Sequence, residues 1–293
     1  MDFYLSALLL SICLGAMALG IYITMKIFNI PDITTDGSYT LGAVISAVLL
    51  SSNVPVLIAI FCSMIAGAAA GIFTGLIHTK LRLDALLSGI LVMTGLYSIN
   101  LIILGRSNVP LINVHSIFTQ VAVFGNETLN RLFIALIFIL IIALLLNYLL
   151  KTDFGIAMRA TGNSPAMTKA LGINNDKMKI IGLAIANSLT ALSGSLMAQF
   201  QGFADINMGI GIVIVGLGSV LIADVLFSWF RIYAIGWQLL IVVAGSFLFQ
   251  LVLAVSLSLG INPNLLKLIT AVFVLLIVAL PRVESYLKKG YSS

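Results

Sequence analysis

The charges of this chain are placed so that long stretches have none. No Asp, Glu, Lys or Arg occurs in residues 3–25, 37–79, 85–105, 132–150, 180–204, 206–223, 232–266 or 268–281. A helix needs roughly 20 apolar residues to cross a bilayer, so each run is read as one crossing, or as two where it is long enough. Ser51-Ser52-Asn53-Val54-Pro55 divides the second run into about 36–51 and 55–78. Asn262-Pro263-Asn264 separates a helix ending near Gly260 from a ninth at about 265–281. Of the 293 residues, 61% are hydrophobic and only 9% are charged, against about 25% charged in a soluble domain. Lipid must therefore be the solvent for most of the surface. The expected fold class is all-α: a polytopic membrane protein of about nine transmembrane helices.

Residues 107–126 also lack charge, but Asn108, Pro110, Asn113, His115, Ser116, Thr119, Gln120 and Asn126 are costly in hydrocarbon. This stretch is read as an external loop with a short interfacial helix. Orientation follows from basic residues, which favour the cytoplasmic side. With nine spans and the C-terminus inside, Lys26, Lys80, Arg82, Lys151, Arg159, Lys169, Lys177, Lys179, Arg231, Arg282, Lys288 and Lys289 are cytoplasmic, and Arg106, Arg131 and Lys267 are external. This distribution accounts for the net charge of +5 without nucleic acid as a partner. Asp2 and the lack of a basic cluster before the first run argue against a cleavable signal. Cys13 and Cys62 lie inside apolar runs and read as small hydrophobes, with no metal or disulfide spacing.

Two stretches resemble each other. Ile30-Pro31-Asp32-Ile33-Thr34-Thr35-Asp36-Gly37 precedes Leu41-Gly42-Ala43, and Phe203-Ala204-Asp205-Ile206-Asn207-Met208-Gly209 precedes Val215-Gly216-Leu217-Gly218. Each follows a long run and opens a shorter, glycine-bearing one. The span count gives the first four and last four helices opposite orientations, the arrangement of inverted-repeat transporters. The expected organisation is one permease domain over 1–293. It divides into repeat one at about 3–105, a linking helix at about 131–150, a cytoplasmic loop at about 151–178 and repeat two at about 179–282.

Asp32, Asp36 and Asp205 stand at the starts of short helices, where an aspartate caps free N–H groups and suits the helix dipole. The alternative is that they line a substrate path with Thr34, Thr35, Met93, Tyr97, Asn100 and Asn207. Asp224 is expected to form an interfacial ion pair near Arg231. Gly67, Gly71 and Gly75 recur every four residues and favour close helix packing, or a moving or dimer-forming helix. His78 and His115 have no ligand-spaced partners, and no phosphate-binding glycine loop with its lysine is present. No catalytic or metal residue is expected. A carrier driven by an ion gradient remains an alternative, but it would want ionisable residues deep in its helices, and none is clearly mid-span.

The most informative stretch is Lys151 to Asn174. Ser164 is a good N-cap, Pro165 a good first helical residue and Gly172 a good stop. They bound a two-turn helix outside the membrane. Its apolar face is Met167, Ala170 and Leu171, flanked by Arg159 and Lys169, and such a face invites docking into a partner's groove.

Phe154-Gly155, Arg159-Ala160, Gly162-Asn163 and Leu171-Gly172-Ile173 resemble the coupling loop of branched-chain amino acid and ribose type permeases of ATP-binding cassette importers. Pro31-Asp32 with Thr35-Asp36-Gly37-Ser38, and Gly89–Thr94 with Leu96–Asn100, look like a branch of that group linked in part to tryptophan and other aromatic amino acids. The resemblance implies a permease that makes no covalent change, with ATP bound by a separate subunit and no cofactor of its own. It implies ATPase coupling through Arg159, Gly162, Asn163, Ser164, Met167, Ala170, Leu171 and Gly172. The implied partners are two cytoplasmic ATPases, an extracytoplasmic binding protein and a second permease copy in a prokaryotic plasma membrane. The implied cargo is a small solute, foremost an amino acid, with a sugar or nucleoside as the alternative.

Overall fold

The computed structural model describes residues 2–112, 114, 116–118, 127–262, 265, 266, 268–277 and 279. Its helices are α1 (Asp2–Ile21), continued by a π-helical turn (Tyr22–Ile27), α2 (Thr34–Ser51), α3 (Val56–Lys80), α4 (Ala85–Leu104), α5 (Glu127–Lys151), α6 (Asp153–Asn163), α7 (Pro165–Ala170), α8 (Asn175–Gln201), α9 (Ile212–Phe230) and α10 (Ile235–Ser258). Leu268–Ile277 forms a further short apolar helix. Two short strands, β1 (Asn108–Pro110) and β2 (Phe203–Asp205), pair antiparallel with Asn108 opposite Asp205. The chain is an all-α polytopic membrane protein.

Among the described residues, seven helical segments are long and apolar enough to cross a bilayer: Leu5–Ile27, α3, α4, α5, α8, α9 and α10. The two remaining predicted spans differ. The first turns of α2 carry Thr34, Thr35, Asp36, Ser38 and Thr40, all buried within the protein instead of facing lipid. The helix Leu268–Ile277 is short among the described residues. Within 107–126, residues 108–110 are a strand, while 113, 115 and 119–126 lie outside the described residues; no helix occurs in the described part.

Burial separates a core pair from a shell. The crossing windows of α1 and α8 are 83% and 72% buried, against 22% for α4 and 28% for α5. Helix–helix association in lipid rests on close packing of small residues, and α8 supplies these at its contacts. A Cβ on Gly194 would overlap the Tyr39 carbonyl of α2, and one on Gly42 would overlap Ala191 of α8. Gly67, Gly71 and Gly75 of α3 face α8. A Cβ at Gly67 would lie 2.5 Å from Asn187 O, one at Gly71 2.8 Å from Ala184 Cα, and one at Gly75 2.8 Å from Ile180 Cα.

The π-helical turn ends the first span and sends the chain back inward, with Phe28 N donating to Ile23 O and Ile30 N to Thr24 O. Segment 28–33 therefore climbs into the protein, and α2 begins level with Asn187, near the middle of α8. The seventh predicted span, read as 206–223, also starts elsewhere. Asn207–Gly211 form turns, Gly211 takes φ +80°, and α9 begins at Ile212.

Candidate functional site: a short helix outside the spans and the junction of two helix starts

Helix α6 begins with Thr152, whose Oγ1 accepts Gly155 N at 3.3 Å. It lies tightly across the ends of the spans: a Cβ on Gly155 would overlap the Leu149 carbonyl, and one on Gly162 the Ile27 carbonyl. Met158 and Thr161 are fully buried beneath it. At Ser164 the backbone leaves the helical region (φ −147°, ψ 87°) and α7 turns away.

Ser164 occupies the N-cap position, but its side chain makes no capping bond; its carbonyl accepts Thr168 N at 3.2 Å. The stop comes as expected from glycine geometry. Gly172 takes φ +80°, its N–H donates to Lys169 O at 3.1 Å, and Ile173 N reaches Thr168 O at 3.0 Å. What holds α7 in place is Thr168, which the sequence reading did not single out. Its Oγ1 donates to Asn175 Oδ1 at 2.7 Å, and Asn175 Nδ2 donates to Pro165 O at 2.7 Å. These bonds clamp α7 to the first turn of α8. Met167 and Leu171 are 64% and 67% exposed, and Ala170 is exposed beside them.

Beside α7 lies a cavity of about 910 Å³ whose lining includes Lys80, Arg82, Lys169, Lys179, Asn175 and Asp176. Lys80 pairs with Asp176 at 3.5 Å. The α3–α4 loop is thus part of this surface, a juxtaposition that no local motif signals. Two of the residues grouped with α7 lie elsewhere. Gly162 is packed against Ile27 and Phe28, and Arg159 lines a separate cavity between α5 and α10 instead of flanking the apolar tip. The reason is helical phase: α6 is longer than the loop reading allowed, and these positions fall on the side facing the spans.

The second part of the site is the meeting point of α2 and α9. Asp32 is 5% exposed; its Oδ1 accepts Thr34 N at 2.9 Å and its Oδ2 accepts Asn187 Nδ2 at 2.7 Å. Ser38 Oγ donates to Asn187 Oδ1 at 2.7 Å, and Thr34 Oγ1 meets Thr74 Oγ1 of α3 at 2.8 Å. Asp36 caps a different helix from its own, accepting Gly211 N and Val213 N at 2.8 Å each. From this point α2 runs toward the end of the protein that holds β1 and β2, while α9 runs toward the opposite end, where Asp224 pairs with Lys26 and not with Arg231. Asp32 and Asp36 thus lie deep among the helices, although their sequence position suggested the ends of spans. The inward return after the π-helical turn accounts for the difference.

The residues suggested to line a path divide into three groups. Asp32, Thr34, Thr35 and Asp36 are enclosed in protein. On α4, Met93 backs against Gly37, Asn100 Nδ2 donates to Gly37 O at 3.3 Å, and Tyr97 is exposed. Asp205 and Asn207 line a cavity of about 370 Å³ together with Tyr39, Gln201, Met208 and Gln250. Asp205 is not a helix cap. Its Oδ1 accepts Asn207 N at 2.8 Å, the same i to i+2 turn that Asp32 makes with Thr34, and its Oδ2 accepts Asn108 Nδ2 at 3.2 Å. Asn187, Tyr39, Gln201 and Gln250 were not anticipated. Asn187, an amide inside an otherwise apolar run, was the one detectable signal, because such a group must find a partner within the protein.

The molecule is a multi-helix membrane bundle in which α2 and α9 start inside the protein and α7 stands outside the spans, and its sequence is that of a transport permease. Residues 3–279 match the model of the branched-chain amino acid transport system permease component, and the chain belongs to this family. It is 42% identical over 285 residues to the tyrosine transport system permease protein of Clostridioides difficile, covering 97% of this chain and 93% of that one. An uncharacterised protein of Rickettsia prowazekii is 32% identical over 273 residues, covering 93% and 95%. The autoinducer 2 import system permease protein of Salmonella typhi is 27% identical over 199 residues, covering 67% and 55%. No solved structure matches.

Proposed function

We propose that this chain is the membrane subunit of an ATP-driven importer, and that its cargo is an amino acid, with aromatic side chains the favoured class. The carrying observation is α7, a six-residue helix with an exposed apolar tip, held rigidly to α8 by Thr168 and Asn175 beside a basic cavity. A small apolar anchor with a polar rim suits docking into the groove of an ATPase subunit. Movement of α7 passes directly to α8, and α8 is in backbone contact with both α2 and α3. The relative named for tyrosine transport, at 42% identity, supports the choice of cargo.

Several observations support the remaining parts of this reading. The opposed courses of α2 and α9, and the matching turns at Asp32 and Asp205, favour inverted repeats that switch access as rigid bodies. Tyr97 and Ser98 are exposed on α4, where lipid would leave their hydroxyls poorly satisfied; a second permease copy on this face fits them better. The distribution of basic residues favours α7 and the C-terminus on the cytoplasmic side of a prokaryotic plasma membrane. An extracytoplasmic binding protein would deliver cargo toward the Asp205 cavity.

The test is Ala170→Arg in the assembled complex. The variant permease is expected to insert and melt normally, while ATPase co-purification and ATP-dependent uptake of tyrosine fall at least tenfold. Full uptake with unchanged ATPase retention would overturn the assignment of α7. Uptake that persists without ATP and collapses when ion gradients are dissipated would overturn the ATP-driven reading.

A further inference from the structure

At the end of the protein that carries α6 and α7, a cavity of about 670 Å³ opens between α5, α6 and α10. Its residues are graded along its depth. Lys151 and Arg159 supply two positive charges at the end of the span, Tyr233 and Trp237 stand beside them, and Leu140, Leu144 and Leu240 form an apolar wall along the spans. None of the twelve lining residues is acidic. Tyr233 is 84% exposed and Trp237 64% exposed, and Trp and Tyr favour the level of lipid headgroups.

Polar groups in the lining are unsatisfied. Arg159 Nε and Asn147 Oδ1 are shut off from solvent and have no hydrogen-bond partner. The cavity itself is lined by the cations Lys151 and Arg159 without an acidic partner, which suits an anion. The 24-residue α10 starts here with Ala234 at its N-cap and no side-chain cap, so its first N–H groups add a positive end to the same cavity.

We propose that this cavity binds an anionic phospholipid, of which phosphatidylglycerol is the test case. Its phosphate lies between Arg159, Lys151 and the α10 N-terminus, and an acyl chain follows Leu144, Leu140 and Leu240. Basic pockets between transmembrane helices recognise lipid headgroups in this way. The bound lipid ties α5 and α10 to α6, the helix that leads into α7, and so steadies the docking element from behind.

The experiment uses the full-length chain purified in detergent and equilibrated with dioleoylphosphatidylglycerol, dioleoylphosphatidylcholine or inorganic phosphate. Retained lipid is counted by native mass spectrometry and stability is read by thermal melting. The expected result is selective retention of phosphatidylglycerol with a raised melting temperature, no rise with inorganic phosphate, and roughly fivefold weaker retention for each basic residue removed in Arg159→Gln and Lys151→Gln. Lys151 is exposed, so Lys151→Gln leaves the fold intact and keeps the test decisive should Arg159→Gln fold poorly. Equal retention of phosphatidylcholine, undiminished retention in Lys151→Gln, or a matching rise with inorganic phosphate would each overturn the lipid site.

Discussion

Asp36 and Gly211 are 175 residues apart in the chain, and the Gly211 N–H donates to Asp36 Oδ2 at 2.8 Å. With Val213 N on Oδ1, one carboxylate in the first turn of α2 satisfies two of the free N–H groups that open α9. The start of α9 thus depends on α2, because its first N–H groups need acceptors and no side chain of its own caps them.

This geometry separates substitutions at Asp36. Asn retains one acceptor and loses the other, which is expected to cost about 1 kcal/mol, while Leu strands both N–H groups at about 1–3 kcal/mol each. Melting of the purified protein should therefore fall in the order wild type, Asp36→Asn, Asp36→Leu, with uptake following the same order. Equal loss in Asn and Leu would mean that the negative charge itself matters.

The pairing of Asp32 with Asn187 predicts strong coupling. Asn187→Ala removes a donor from a buried carboxyl and leaves Ser38 Oγ without its acceptor, which is expected to cost about 3 kcal/mol. Asp32→Ala in the same chain should recover part of that loss, since contacting residues are non-additive. Strictly additive losses in the double variant would show that the 2.7 Å contact carries no energy.

Gly71 touches the α8 backbone at Leu183 and Ala184. A side chain there must push α3 away from α8, and overpacking of this kind typically costs about 1–3 kcal/mol. Gly71→Leu should lower the melting temperature and yield. Gly95, where a Cβ would meet nothing within 4 Å, is the control, and Gly95→Ala should melt as wild type does. If both variants behave alike, the close packing of α3 on α8 is not a determinant of stability.

Topology is checked by labelling. In a background lacking Cys13 and Cys62, a cysteine at Ser293 should react only from the cytoplasmic side and one at Ser116 only from outside. Labelling of both from the same face is the result that would end the nine-span orientation.

Much of this protein was legible in its residues because the governing costs are local. A charge in hydrocarbon is expensive wherever it stands in the chain, so charge-free runs alone defined the membrane class and located seven crossing helices. Pro165 and Gly172 bounded α7 because a helix start and stop depend on a few adjacent residues, although the Ser164 side chain makes no capping bond. The tertiary structure decided what depends on partners far along the chain: that α2 begins inside the bundle, that α9 starts at Ile212, that Asp36 serves a helix other than its own, and that Asn187 answers Asp32. A buried carboxyl or amide must find a hydrogen-bonding partner, but nothing local determines which segment supplies it; the packing of α8 on α2 brought Asn187 to Asp32, and the meeting of α2 with the start of α9 brought Asp36 to Gly211 and Val213, each to within 3 Å.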